Sequence, residues 1–335
     1  MVDIVIPAFN AHNTINRCLA SIASQTIISD INVIIVNDCS DKDYSESIHT
    51  FENLMNVKEI KLEKNSGPGT ARRIGMQNCN SEYIMFIDAD DTFGSAYSVS
   101  ELLNAIINTD ADCINSTFYE ELETGEHYKH DNDMVWVFGK IYKRSFLDGY
   151  HIEFNDTRAN EDNGFNTLVC LLSDNVKTLE GPVTYNWHWN SNSITRNNDY
   201  AFNGMEGFIN NQIWAYEQAK KYPTVFKKRY NIIQERFVKV FIQLYVYYLE
   251  FAVNNKNLSK YLYWCKKYYD SVFCYFESEI TAEYFNECYI SVISNNDNIM
   301  KTVVPVITIY QFISALKDYD VDGYAEDNEY SEINI

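Results

Sequence analysis

In the stretch EYIMFIDADDTFG, residues 82–94, an apolar run ends at three carboxylates: Asp88, Asp90 and Asp91. Adjacent anions repel, and a hard cation that neutralises them is one way to hold them together. Mg²⁺ or Mn²⁺ takes one or two protein carboxylates and fills its remaining positions with phosphate oxygens and water. The other way is a solvated Asp-rich turn that caps the next helix, and the triplet alone does not separate the two. An EF-hand loop is excluded. Counted from Asp88, Phe93 falls where that loop needs glycine and Val99 where it needs glutamate. A second acidic pair, Glu161-Asp162 in RANEDNGF, suits either proton abstraction or a helix N-terminus that favours negative charge.

These acids need a scaffold. Val2–Ile6, Ile31–Val36, Val57–Leu62 and Tyr83–Ile87 are short apolar runs of strand texture. Between them, Asn13 stands as a helix cap before the helical spacing of Ile15, Cys18, Leu19 and Ile22. Gly67-Pro68-Gly69 opens a further helix, to about Asn78. Strands alternating with helices predict a parallel sheet with right-handed crossovers, which binds ligands at the carboxyl ends of its strands. Polar residues gather there: Asn10 after Pro7-Ala8-Phe9, then Asn37-Asp38-Cys39-Ser40, then Asp88-Ala89-Asp90-Asp91. No G-x-G-x-x-G follows the first strand, which disfavours a dinucleotide site of the usual kind. Further on, Val135–Tyr142 reads as a strand, Asp162–Leu172 as a helix and Pro182–Trp189 as an aromatic strand. From about Ala201 to Leu316 the texture is helical, so the expected organisation is 1–200, a helical region 201–317 and an acidic, loosely ordered tail 318–335.

Composition narrows the classes. The chain has 335 residues and a net charge of −20, which argues against a general grip on nucleic-acid phosphates. Its eight cysteines are scattered singly without a C-x-x-C pair, as expected of reduced thiols in a cytoplasm-like compartment rather than a disulfide or zinc framework. The first residues lack the basic start of a signal peptide. The longest apolar stretches are interrupted, Phe237–Val253 by Lys239 and Glu250, Thr302–Leu316 by Pro305. Neither reads as a membrane span.

Taken in order, IVIPAFNAHNTINRCLASIASQT, VIIVNDCSDKD, NSGPGTARRIG, YIMFIDADD, VFGKIYKRSFL, the NED of residues 160–162 and YNWHWNSNSIT resemble a family 2 glycosyltransferase over roughly residues 1–196. The resemblance implies a GT-A fold: an α/β Rossmann-like sandwich with a mostly parallel central sheet, here followed by a mainly helical C-terminal region. It places Pro7, Ala8, Phe9 and Asn10 around base and ribose, and Asp38 on the base. Gly67 and Arg72 fall beside the nucleotide, Asp88 and Ala89 at the ribose, and Arg196 at the diphosphate. Asp90 is then the ligand of Mn²⁺ or Mg²⁺, with Asp91 and His188 as further candidates. Asp162 is the base that takes a proton from the acceptor, and Glu161 orients it or touches the acceptor. The chain departs from the family's D-D-G-S at two positions, Asn37 for the first acid and Cys39 for the glycine. A third departure is Arg73, where the family has asparagine.

The reaction so implied is inverting, metal-dependent transfer from a nucleotide diphosphate sugar, with UDP the favoured nucleotide. The acceptor hydroxyl is left open among carbohydrate, protein and a hydroxymethylated DNA base of a phage-type genome. No integral membrane segment is expected, and the helical region is a candidate acceptor side or homo-oligomer contact. Two rivals stand beside this reading. D-A-D-D-T also fits the nucleophile loop of haloacid-dehalogenase-type phosphohydrolases, although that loop normally follows the first strand of its domain and here follows the fourth. The other rival is a non-catalytic nucleotide-sugar-binding module, for which Asp162 would have no task.

Overall fold

The computed structural model describes residues 1–191, 193, 200–254, 256–295 and 307–319. Arg196 and nearly all of the acidic tail lie outside the described residues. The chain forms two compact units, Met1–Asn197 and Asn198–Ile335.

The first unit is one nine-stranded sheet with helices. Its parallel part is β1 (Val2–Ala8), β2 (Ile31–Asn37), β3 (Asn56–Lys61) and β4 (Tyr83–Phe86), in the spatial order β3-β2-β1-β4. The crossovers carry α1 (Ile15–Ala23), α2 (Ser45–Phe51) and α3 (Pro68–Gln77). Ile15, Cys18, Leu19 and Ile22 of α1 are all buried, as their spacing requires. Its N-cap is Thr14, whose hydroxyl donates to the Ala11 carbonyl, rather than Asn13. Helix α3 lies close on the sheet at Gly75, where a Cβ would sit 2.3 Å from Val5 Cγ1.

Beyond β4 the sheet changes character. After β5 (Thr92–Phe93) and α4 (Ser98–Thr109) come β6 (Cys113–Glu121), β7 (His127–His130), β8 (Lys140–Lys143), α5 (Arg144–Gly149), α6 (Glu161–Leu172) and β9 (Val176–Trp187). Strand β8 inserts antiparallel between β4 and β6, while β9 runs parallel to β6. The strand expected over Val135–Tyr142 forms only from Lys140. Upstream, the Asn166 amide donates to the Val135 and Trp136 carbonyls, which diverts that backbone from a ladder. Phe138 instead stacks on Tyr185 at 4.4 Å, closing the core of this half.

The second unit is helical: α7 (Tyr200–Asn203), α8 (Met205–Lys220), α9 (Pro223–Lys228), α10 (Tyr230–Val253), α11 (Leu258–Tyr268), α12 (Cys274–Glu277), α13 (Ala282–Asn295) and α14 (Ile309–Lys317). Helix α10 buries Phe237, Phe241, Leu244 and Leu249, and the hydroxyls of Tyr261 and Tyr268 donate to its carbonyls. Among the described residues no helix is long and apolar enough to cross a membrane.

Candidate functional site

The carboxyl ends of β1, β2 and β4 form the candidate site. Phe9, just past β1, is half exposed, an apolar ring left in the open at the sheet edge. Asn10 follows with φ 50°, takes the Asp41 amide on its side-chain oxygen and gives its own N–H to Ser40 Oγ. Cys39 has φ 62°, a left-handed backbone that glycine adopts without strain. The position thus keeps glycine's conformation while carrying a thiol.

The other departure has an equally local cause. Asn37 is fully buried, and its amide donates to Glu59 Oε1 at 2.6 Å while its carbonyl oxygen accepts the Ser40 N–H. An aspartate there would face a carboxylate. Asp38, also buried, accepts the N–H groups of Ser66 and Gly67 at 2.7 and 2.8 Å. Its carboxylate therefore fixes the turn that starts α3, with Gly67 at φ 87°.

That turn aims Arg72. The buried guanidinium donates to Glu161 Oε1 at 2.5 Å and to Asp88 Oδ1 at 2.6 Å. One cation thus joins the end of β4 to the start of α6. The close approach depends on Gly69, where a Cβ would lie 2.8 Å from the Asn155 carbonyl oxygen and 3.0 Å from Glu161 Cγ. Burial would lower the Arg72 pKa, but Asp88, Glu161 and Asp162 together raise it. Asp162 is buried in the first turn of α6 and accepts the Asn163 N–H at 2.7 Å. Burial, reinforced by the Glu161 charge, pushes its carboxyl up to about 8. Burial also raises Glu161, against the pull of Arg72.

The three acids after β4 are unequal. Asp91 is buried and engaged through both oxygens: Tyr185 Oη donates to one at 2.6 Å and the His188 N–H to the other at 2.8 Å. It ties β4 to β9, and burial with the charges of Asp90 and Asp88 raises its pKa strongly. His188 is committed as well, Nε2 to Thr92 Oγ1 and Nδ1 to Glu121 Oε2, both at 2.9 Å. Both side chains are thus held by protein partners in this arrangement. Asp90 and Asp88 remain partly accessible. Asp90 takes the Asn190 amide on Oδ2, and its main-chain carbonyl accepts from Arg17.

Among the described residues no three His, Cys, Asp or Glu side chains converge as a metal cage. The donor set that does exist, Asp90 beside Asp88, matches a cation held by one or two carboxylates that takes its other ligands from a diphosphate. Arg17, Glu121, Tyr185 and Asn190 escape a reading of the sequence, since only the fold brings them to the triplet.

Comparison with known proteins supports the same architecture. Residues 3–160 match the model of glycosyl transferase family 2. Glycosyltransferase GlyA of Streptococcus pneumoniae is 25% identical over 223 residues, 58% of this chain and 31% of that protein. The uncharacterized glycosyltransferase EpsJ of Bacillus subtilis is 26% identical over 219 residues, 58% of this chain and 63% of its own length. The chain thus spans less than two thirds of either. Poly(ribitol-phosphate) beta-N-acetylglucosaminyltransferase TarP of Staphylococcus aureus is 25% identical across 64% of this chain and 69% of its own. Among solved structures, S. aureus TarS 1-349 in complex with UDP-GlcNAc shares the fold, with a TM-score of 0.63 at 15% identity over 90% of each chain.

Proposed function

We propose that the protein, whose residues 3–160 match glycosyl transferase family 2, moves a sugar from a nucleotide diphosphate sugar to an acceptor hydroxyl, with inversion and with the help of a divalent cation. The observation that carries the reading is the Arg72 bridge, which sets the acids of β4 and the acidic pair of α6 around one buried charge.

Each side chain then has a task. Phe9 offers a face for the base, and the Asn10–Ser40 turn shapes the pocket wall beside it. Asp88, held by Arg72, receives the ribose. Asp90, with Asp88 beside it, would hold Mn²⁺ or Mg²⁺. Such an ion neutralises the charge that grows on the two phosphates as the nucleoside diphosphate leaves. Asp162 takes the proton of the acceptor hydroxyl as its oxygen attacks the anomeric carbon and the bond to the diphosphate breaks. A carboxyl raised to about 8 by burial is a stronger base than an exposed aspartate.

UDP-sugars are the first donors to try, because S. aureus TarS was solved with UDP-GlcNAc and with UDP. The names of TarP and of the minor teichoic acid biosynthesis protein GgaA of B. subtilis favour a carbohydrate or polyol hydroxyl as acceptor. The net charge of −20 counts against DNA. A thermal-shift panel of nucleotide sugars with Mn²⁺ tests the donor side: UDP-sugars are expected to raise Tm, and a flat panel would overturn the reading.

A further inference from the structure

Lys140 is fully buried, and its ammonium donates to the Phe138 carbonyl at 3.5 Å. Among the described residues it pairs with no carboxylate. Opposite it in the ladder stands Asn115, also buried, whose side-chain amide has no partner at either end. An ammonium held out of water is costly, and a buried amide with no partner adds to that cost. Such a layer is a poor choice for stability alone.

Its position suggests what it serves. Strand β8 runs antiparallel to β4, so it starts level with the end of β4 that leads to Asp88. Helix α6 starts at that same level, because Arg72 joins Asp88 to Glu161. The two elements then descend together. Tyr142 Oη donates to Asn166 Oδ1 at 2.8 Å, fixing strand against helix. Two residues up the strand on the same face, about 6.6 Å, is Lys140. One turn up the helix on the same face, about 6 Å, is Asp162. Lys140 therefore lies beneath the acidic first turn of α6.

We propose that Lys140 is a positioning residue that acts through Asp162: its buried charge, lying beneath α6, favours the ionised, proton-accepting form of that carboxylate. This rests on Asp162 being the base of the proposed transfer. The groups whose charges act on Lys140 are, largest first, Asp133 from the segment before β8, Cys113 from β6, and Cys170 and Asp162 from α6; Glu161, Arg72 and Asp88 act on Asp162 as well. Burial pulls the Lys140 ammonium down to about 8, and the groups acting on it oppose that. Asp162 is thus the acid in this set that the reaction would use.

The test compares Lys140→Met and Lys140→Arg with the wild-type chain, with thermal melts to establish folding. Two readouts are used: the pH profile of UDP release from a UDP-sugar with Mn²⁺, and ¹³C NMR titration of the aspartate carboxyls, with Asp162→Asn to assign the signal. Lys140→Met is expected to move the Asp162 midpoint up by at least about 0.3 pH unit, a twofold change in the ionised fraction. The acid limb of the rate profile should follow, with KM for the donor unchanged, and Lys140→Arg should restore both. An unmoved carboxyl midpoint, or a rate loss by the same factor at every pH, would overturn the inference. If the wild-type chain releases no UDP while the carboxyl midpoint still moves, the electrostatic link stands and the transferase reading is what fails. Should Lys140→Met not melt cooperatively, Lys140→Gln carries the same comparison.

Discussion

The Asn37 amide donates to Glu59 Oε1 at 2.6 Å, at a buried position where a related chain with the usual motif would carry an aspartate. The substitution is therefore coupled to β3: the amide fits because its partner is a carboxylate. Asn37→Asp is expected to lower stability by about 2 kcal/mol, since it sets a buried carboxylate against the half-buried Glu59 without a proton between them. Glu59→Gln in the same chain should recover most of that loss. Urea unfolding of the single and double variants measures it, and an additive double variant would contradict the coupling.

Arg72 is the next point of leverage. Arg72→Met leaves Asp88 and Glu161 facing each other with no cation between them, and removing one partner of a buried pair costs about 3–5 kcal/mol. Lysine cannot make two parallel contacts with one planar head, so Arg72→Lys should recover only part of the loss. Chemical denaturation of the three chains gives the order, wild type above lysine above methionine.

Gly69 should be intolerant for a reason of space rather than backbone conformation. A Cβ there meets the fixed Asn155 carbonyl oxygen at 2.8 Å and the Glu161 side chain at 3.0 Å. Gly69→Ala is expected to cost about 1–3 kcal/mol and to push Glu161 off Arg72. Crystallography of the variant would show the lengthened Arg72–Glu161 contact. An unchanged contact would place the strain elsewhere.

The pH dependence of stability follows from Asp162. Burial raises its folded-state pKa to about 8 from an ordinary aspartate value of 3.8. Between those values the folded state holds a proton that the unfolded state has released, so this group makes stability fall as pH rises from about 4 to about 8. Asp162→Asn removes that contribution. The difference in Tm, variant minus wild type, should therefore grow between pH 5 and pH 8. A difference that stays constant would show that the carboxyl ionises freely in the fold.

How much of this was legible in the sequence depended on how locally each feature is encoded. The four parallel strands are continuous apolar runs, and their polar ends could be read directly, which put Asn10, Asp38 and Asp88 at one sheet edge. Strands β6 and β8 were harder. Cys113–Glu121 mixes Asn115, Ser116 and Thr117 into a buried strand, and β8 has only four residues. The partners of His188 were hidden for a different reason. Glu121 and Thr92 take its two ring nitrogens, and they reach it only through the β6–β9 pairing and the turn after β4. Lys140 gave no signal because a lysine in a strand pattern reads as an exposed residue.

The most direct measurement is UDP release from UDP-GlcNAc and related UDP-sugars in Mn²⁺, wild type against Asp162→Ala, with UDP binding to both followed by calorimetry. The account predicts that both chains bind UDP, that chelating the metal or changing Asp90→Asn weakens that binding, and that Asp162→Ala slows release by about 10²-fold or more. Equal rates of release in the two chains would contradict it.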